Sequence, residues 1–124
     1  MNQKILVADD EPNIVISLEY LLKREGYTVL IARDGQEALD MIACELPDLV
    51  LLDVMMPRKT GFEVCQEVRA NDALKGVKIL MLTAKGRDTD VAKGTALGAD
   101  AYMTKPFSTR ELAQKVAEML SPSP

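Results

Sequence analysis

An α/β fold, doubly wound around a five-stranded parallel sheet with helices on both faces, is what this sequence predicts. Three observations predict it. Five short apolar runs punctuate the chain: Ile5-Leu6-Val7-Ala8, Val29-Leu30-Ile31-Ala32, Leu49-Val50-Leu51-Leu52, Ile79-Leu80-Met81-Leu82 and Ala101-Tyr102-Met103. They are near-continuous rather than alternating, which suits strands buried on both faces. The stretches between them carry apolar residues at helical spacing, and alternating βα units with right-handed crossovers place helices on both sides of a parallel sheet.

The elements follow in order. After the first strand, Pro12 suits the first helical turn, where its missing N–H is no loss, and Ile14, Leu18, Leu21 and Leu22 form the apolar face. Gly26 ends that helix. The second helix starts at Asp34-Gly-Gln-Glu37, the third at Thr60-Gly-Phe-Glu63 and the fifth at Ser108-Thr-Arg-Glu111, all with the capping-box spacing. Leu39, Ile42 and Leu46 form the second helix's apolar face, and Leu112, Val116, Met119 and Leu120 the fifth's. The fourth helix, roughly residues 90–97, is the weak one: it contains Gly94, is followed by Gly98 and has a short apolar face, so it is expected to be the most mobile.

A chain of 124 residues is one domain of ordinary size, here residues 1–120, with Ser121-Pro122-Ser123-Pro124 as a tail or the start of a linker. Fifteen Lys+Arg against 19 Asp+Glu leave a net charge of −4, which argues against direct nucleic acid binding through phosphate neutralisation. With no histidine, serine–histidine and cysteine–histidine catalysis are excluded, as is histidine phosphorylation within this chain. Cys44 and Cys65 lie in amphipathic helical runs and are expected to be reduced core thiols of a cytoplasmic protein. No apolar run approaches the ~20 residues of a membrane span, and no signal peptide precedes the first strand.

Polar residues collect after the strands. The first is followed by Asp9-Asp10-Glu11, the third by Asp53, the fourth by Thr83-Ala84 and the fifth by Thr104-Lys105-Pro106. Open α/β sheets bind ligands outside the carboxyl ends of their strands, where the strand order reverses; in the order 2-1-3-4-5 the first and third strands flank that point. Each feature alone has an ordinary reading as a helix cap, a loop carboxylate, a strand-end hydroxyl or a turn. Together they make a cleft in which three carboxylates repel and one lysine cannot neutralise them. Oxygen-only ligands favour a hard cation such as Mg²⁺. A metal, a lysine, a hydroxyl and an exposed carboxylate suit phosphoryl transfer to that carboxylate.

These residues carry a family resemblance. The segments Ile5–Glu11, Pro47–Pro57, Thr60–Glu63, Leu82–Ala84 and Gly98–Phe107 together resemble the receiver domain of two-component response regulators, over residues 3–120. The resemblance implies the flavodoxin-like doubly wound topology and a function as a phosphorylation-activated receiver, not an enzyme beyond its own phosphorylation and dephosphorylation. It implies that Asp53 is the phosphoacceptor and that Asp10, Asp53 and the Met55 main-chain carbonyl ligate Mg²⁺ (or Mn²⁺), with Asp9 holding a metal-bound water. Lys105 would pair with the phosphoryl group, Thr83 would be the switch hydroxyl, Ala84 the small residue that leaves access to Asp53, and Tyr102 the aromatic that moves inward behind Thr83. Lys105-Pro106 would be a cis peptide.

The partners so implied are a sensor histidine kinase or phosphotransfer protein in trans, docking near the first helix (Val15, Ser17 and Leu18 are candidates), and an output partner that the sequence does not name. Asp100, Glu111 and Lys115 fit parts of the charge pattern through which such regulators dimerise on the surface of helix 4, strand 5 and helix 5. Val91 and Ala101 depart from it, so a phosphorylation-dependent homodimer stays open. Met55 and Lys85 flank the path of the attacking water in this family, and neither side chain would position a water readily; a long-lived aspartyl phosphate is expected. Two other classes compete. A haloacid-dehalogenase-type small phosphatase would carry a second aspartate where Met55 stands, and a small flavin carrier would want a phosphate-cradling loop where Asp9-Asp10-Glu11 would repel phosphate.

Overall fold

A computed structural model describes residues 3–84 and 88–121. Lys85 and residues 122–124, on which two of the expectations above fall, lie outside the described residues. The chain alternates strand and helix: β1 (Lys4–Ala8), α1 (Pro12–Arg24), β2 (Thr28–Ala32), α2 (Gly35–Glu45), β3 (Leu49–Asp53), α3 (Gly61–Ala70), a short 3₁₀ turn (Asp72–Leu74), β4 (Lys78–Ala84), α4 (Asp88–Ala96), β5 (Ala101–Lys105) and α5 (Thr109–Leu120). The five strands form one parallel sheet in the order β2-β1-β3-β4-β5, as expected.

The sheet sorts its side chains by parity. Ile5, Val7, Leu49, Leu51, Leu80 and Leu82 face α1 and α5, where Leu18, Leu21, Leu22, Leu112 and Val116 meet them. Leu6, Ala8, Val50, Leu52, Ile79 and Met81 face the other way, against Ala38, Ile42, Val64, Cys65 and Val68 of α2 and α3. Burying a Leu or Ile contributes about 1.5–3 kcal/mol each, so these two cores hold the central strands rigidly.

The structure corrects several expectations. Only β3 is buried through its length; β1 and β4 are buried except at their ends, β2 and β5 are edge strands, and β5 alternates half-buried with exposed residues. Cys44 is exposed, because the inward stripe of α2 runs through Gly35, Ala38 and Ile42 and Cys44 faces away from it. Leu46 leaves the helical face altogether: it caps α2 in the left-handed region (φ 49°, ψ 60°) and is exposed. Val15 and Leu18 are almost fully buried on the inner side of α1, although Leu18 lines the groove between α1 and the start of α5, whereas Ser17 is exposed. Of the three capping boxes, only that at Thr60 and Glu63 closes in both directions; Asp34 and Ser108 accept from the Glu37 and Glu111 amides without the return bond. No helix of the described residues is long and apolar enough to cross a membrane.

Candidate metal and phosphoryl site

Register assembles the site. Ala8 lies beside Leu52 in the β1–β3 ladder, so the next residues, Asp9 and Asp53, emerge together at the carboxyl end of the sheet. Asp53 lies beside Leu82, so Thr83 follows one step further along β4, and Ala84 pairs with Lys105 on β5. Asp9, Asp10 and Asp53 each present a carboxylate oxygen within 4.8 Å of the others. Six of the residues singled out in the sequence thus arrive at one sheet end: Asp9, Asp10, Asp53, Thr83, Ala84 and Lys105.

Asp9 is wholly buried and doubly held. Its Oδ1 accepts from the Glu11 amide at 2.9 Å, and its Oδ2 from Lys105 Nζ at 2.9 Å. The same ammonium lies 3.4 Å from Asp53 Oδ1. Asp53 is left short of positive charge. Burial, and then the charge of Asp9, push its carboxyl up to about 6, against the opposing pull of Lys105 and a hydrogen bond from the Met55 amide. For Lys105, burial pulls the ammonium down, but the hydrogen bond to Asp9 and the charges of Asp53 and Asp9 outweigh it and hold it above its ordinary value.

Lys105 bridges two of the three carboxylates, Asp9 and Asp53, and its single charge leaves the cluster with an excess of negative charge. Clustered carboxylate oxygens are the donor set of a hard divalent cation, and the exposed Asp10 leaves room for the waters that Mg²⁺ retains. The residues fit the ion.

Thr83 supplies the second signature. It is almost fully buried, and its Oγ1 has no hydrogen-bond partner among the described residues. A buried hydroxyl without a partner costs about 1–3 kcal/mol, so such an atom marks a place where a ligand completes the structure. Ala84 beside it is exposed and adds no bulk. Tyr102 is 51% exposed, on the side of β5 that faces solvent. The Lys105–Pro106 peptide is cis.

One positioning residue was read in the sequence only as part of a helix start. Gly61 donates its amide to the Val54 carbonyl at 2.9 Å, and a Cβ there would lie 2.3 Å from the Asp53 carbonyl oxygen. Only glycine lets α3 begin so close under the phosphoacceptor candidate. Gly35 plays the same part against the Lys59 carbonyl, 2.1 Å from a Cβ position, and fixes the loop that leaves Asp53.

Fold and register gather these groups at one sheet end, and comparison with known proteins identifies the class of the chain. The response regulator receiver domain family matches residues 5–117, and this chain belongs to that family, a module of two-component signalling. The chain is 52% identical over 120 residues to the alkaline phosphatase synthesis transcriptional regulatory protein PhoP of Bacillus subtilis, covering 97% of this chain and 49% of that one. It thus spans about half the length of that curated relative. A response regulator from Chloroflexus aurantiacus superposes with a TM-score of 0.93 at 36% identity, over 98% of this chain and all of that one. The receiver domain of a Pseudomonas aeruginosa sensor histidine kinase, solved with a magnesium ion coordinated in its active-site cleft, does so with a TM-score of 0.88 at 28% identity, over 96% and 98% of the two chains. Receiver domains bind Mg²⁺ at an acidic pocket and interact with histidine kinases or phosphotransfer proteins.

Proposed function

We propose that this chain accepts a phosphoryl group on Asp53 from a phosphohistidine of a kinase or phosphotransfer protein in trans. The observation that carries the reading is the clustering of Asp9, Asp10 and Asp53 at one sheet end, with Lys105 bridging Asp9 and Asp53, beside a Thr83 hydroxyl that has no partner among the described residues. An Asp53 carboxylate oxygen attacks phosphorus as the P–N bond of the donor breaks, and the departing imidazole keeps the electron pair and takes up a proton.

Asp10, Asp53 and the Met55 carbonyl would hold Mg²⁺ (or Mn²⁺), and Asp9 would reach it through a water. When bound, the ion supplies the positive charge that neutralises both the carboxylates and the incoming phosphoryl oxygens. Lys105 shifts from its pairing with Asp9 toward the new phosphoryl oxygens, and Ala84 leaves them accessible. Thr83, whose hydroxyl has no partner among the described residues, donates to one of them. Its movement toward Asp53 vacates space that the outward Tyr102 fills, which alters the surface formed by α4, β5 and α5.

An open groove of about 500 Å³ beside Lys105, between α1 and the start of α5, gives the donor protein a place to dock; Ser17, Ile14 and Phe107 line it. Residues 1–120 act as the receiver unit and 121–124 as a tail or the start of a linker. A phosphorylation-dependent homodimer through α4, β5 and α5 would have to do without Asp100, whose carboxylate is engaged within the chain by Arg69 and the Ile79 amide. The output partner stays outside this reading, and cytoplasmic placement is part of it.

Incubation with phosphoramidate or acetyl phosphate and Mg²⁺ tests the proposal. Intact mass should rise by one phosphoryl group, and Asp53→Asn should abolish the gain. Turnover of general phosphomonoesters would favour the phosphatase alternative, and a gain that survives Asp53→Asn would overturn the assignment.

A further inference from the structure

The loop between β3 and α3 leaves the sheet beside Asp53 and returns to the same place. At its base the Val54 amide donates to the Leu82 carbonyl at 3.2 Å, and the Gly61 amide to the Val54 carbonyl at 2.9 Å. Val54 and Met56 are buried in the core beneath α2 and α3, and Met55 stands 64% exposed between them. The Met55 amide also donates to the Asp53 carboxylate. Two of the proposed Mg²⁺ ligands, Asp53 and the Met55 carbonyl, are therefore only as well placed as this loop.

Its tip is a tight turn. The Lys59 amide donates to the Pro57 carbonyl at 2.8 Å across Arg58, whose φ is 69°. A three-residue turn with a positive φ at its centre is rare and strained, the more so with a side chain there, and it persists only where its surroundings fix it. The start of α2 supplies them. The Gly35 amide donates to the same Pro57 carbonyl at 3.3 Å, and Asp34 Oδ2 lies 3.6 Å from Arg58 Nε. From the other side, Glu67 of α3 meets Lys59 Nζ at 2.7 Å.

The fit at Gly35 has no slack. A Cβ there would stand 2.6 Å from both the carbonyl carbon and the Cβ of Lys59, where ordinary contact begins at 3.4 Å. Lys59 would have to retreat, and both ways out lead to the site. Toward α3 the push passes through Thr60 to Gly61, which packs against the Asp53 and Val54 backbone. Toward β3 it passes through Met56 to Met55 itself. Mg²⁺ demands near-octahedral oxygens, and a site holds its geometry only with ligands kept within about 0.5 Å of place.

We infer that Asp34 and Gly35 are positioning residues for the metal: the start of α2 seats the β3–α3 loop and so sets the Mg²⁺ affinity of a carboxylate cluster to which neither residue belongs. The inference rests on the Mg²⁺ reading of Asp10, Asp53 and Met55; the seating of the loop is a property of the metal-free chain.

Calorimetric titration of the full chain with Mg²⁺, without any phosphoryl donor, tests it. Gly35→Ala should weaken binding about tenfold or more. Asp34→Ser still accepts from the Glu37 amide but cannot pair with Arg58, and should weaken it about threefold. Val116→Ala opens the core on the opposite side of the sheet, so it lowers stability without bearing on the loop and should bind within about twofold of wild type. In metal-free ¹⁵N spectra, Gly35→Ala should move the amide resonances of Asp53, Val54 and Met55, and Val116→Ala should leave them in place.

A folded Gly35→Ala that binds Mg²⁺ as the wild type does would overturn the inference, and so would an equal weakening in Val116→Ala. If Gly35→Ala does not fold, Asp34→Ser decides, and unchanged affinity there overturns it. A wild type that binds no Mg²⁺ would sink the metal reading instead. The metal-free spectra of whichever variant folds then decide the seat, and unmoved resonances at residues 53–55 overturn it.

Discussion

At the amino end of the sheet Lys4, Asp48, Lys78 and Asp100 all have partners; at the carboxyl end Asp9, Asp10, Asp53 and Thr83 do not all have theirs. Asp48 accepts the Lys4 amide at 2.8 Å, Lys4 Nζ meets Glu45 at 3.4 Å, and Lys78 caps α5 at the Met119 carbonyl. Gln3 donates to the Leu120 carbonyl beside it, at 3.3 Å. Opposite them, three carboxylates cluster with one lysine bridging two of them, and a buried hydroxyl has no partner among the described residues. The same sheet thus keeps one end satisfied and the other poised for a ligand. Unmet polar groups are tolerated where a ligand completes them, and the cost of holding them is met by packing elsewhere in the fold.

The largest effects should come from breaking the unsatisfied end. Asp53→Asn is expected to abolish phosphoryl incorporation completely, read by intact mass after treatment with phosphoramidate. Gly61→Ala should be the next most severe, because a Cβ within 2.3 Å of the Asp53 carbonyl must move the backbone. A loss of about 3 kcal/mol in urea unfolding and much slower phosphorylation are expected.

At the satisfied end, Arg69→Ala removes the donors to Gly98, Val77 and Asp100 together. It should lower stability by about 2–3 kcal/mol with phosphorylation retained.

The carboxylate cluster itself should act against stability when no metal is bound. The Asp53 pKa lies above its unfolded value, so the folded chain binds the extra proton, and stability falls as pH rises from about 4 to 6. Asp53→Asn should therefore make the metal-free protein more stable at pH 7, by about 1–2 kcal/mol once screening at the open mouth is allowed for, and the gain should vanish near pH 4. Thermal unfolding of both proteins in chelator at several pH values checks the sign. Mg²⁺ should narrow the gap by stabilising the wild type alone.

The smallest effect is expected at Thr83. Because Oγ1 has no partner among the described residues, Thr83→Val should change stability by less than about 1 kcal/mol while weakening the response of the chain's tyrosine fluorescence to beryllofluoride.

Much of this comparison was legible in the chain. The five apolar runs marked the strands, because strands buried in a parallel sheet need no alternation, and the residues after each run marked the site, because strand ends of one sheet must share an edge. Glu37, Glu63 and Glu111 marked three helix starts by spacing alone. What was misread depended on direction or on distant neighbours. Cys44 and Leu46 are apolar enough for a core, but the turn of α2 and its left-handed cap turn them outward. Val15 and Leu18 are buried on the inner side of α1, and of the two only Leu18 also lines the groove beside Lys105. Asp100 looked like a surface charge until Arg69, 31 positions earlier, came to meet it.

The sequence by itself determined the fold class, the strand ends and the identities of the groups gathered there, because periodicity, helix caps and strand-end chemistry are local. Only the tertiary structure decided which of those groups are satisfied. Lys105 turns to Asp9 as well as to Asp53, Thr83 finds no partner among the described residues, and Arg69 claims Asp100, because hydrogen-bond and charge balance depends on residues that register and packing bring together from far along the chain.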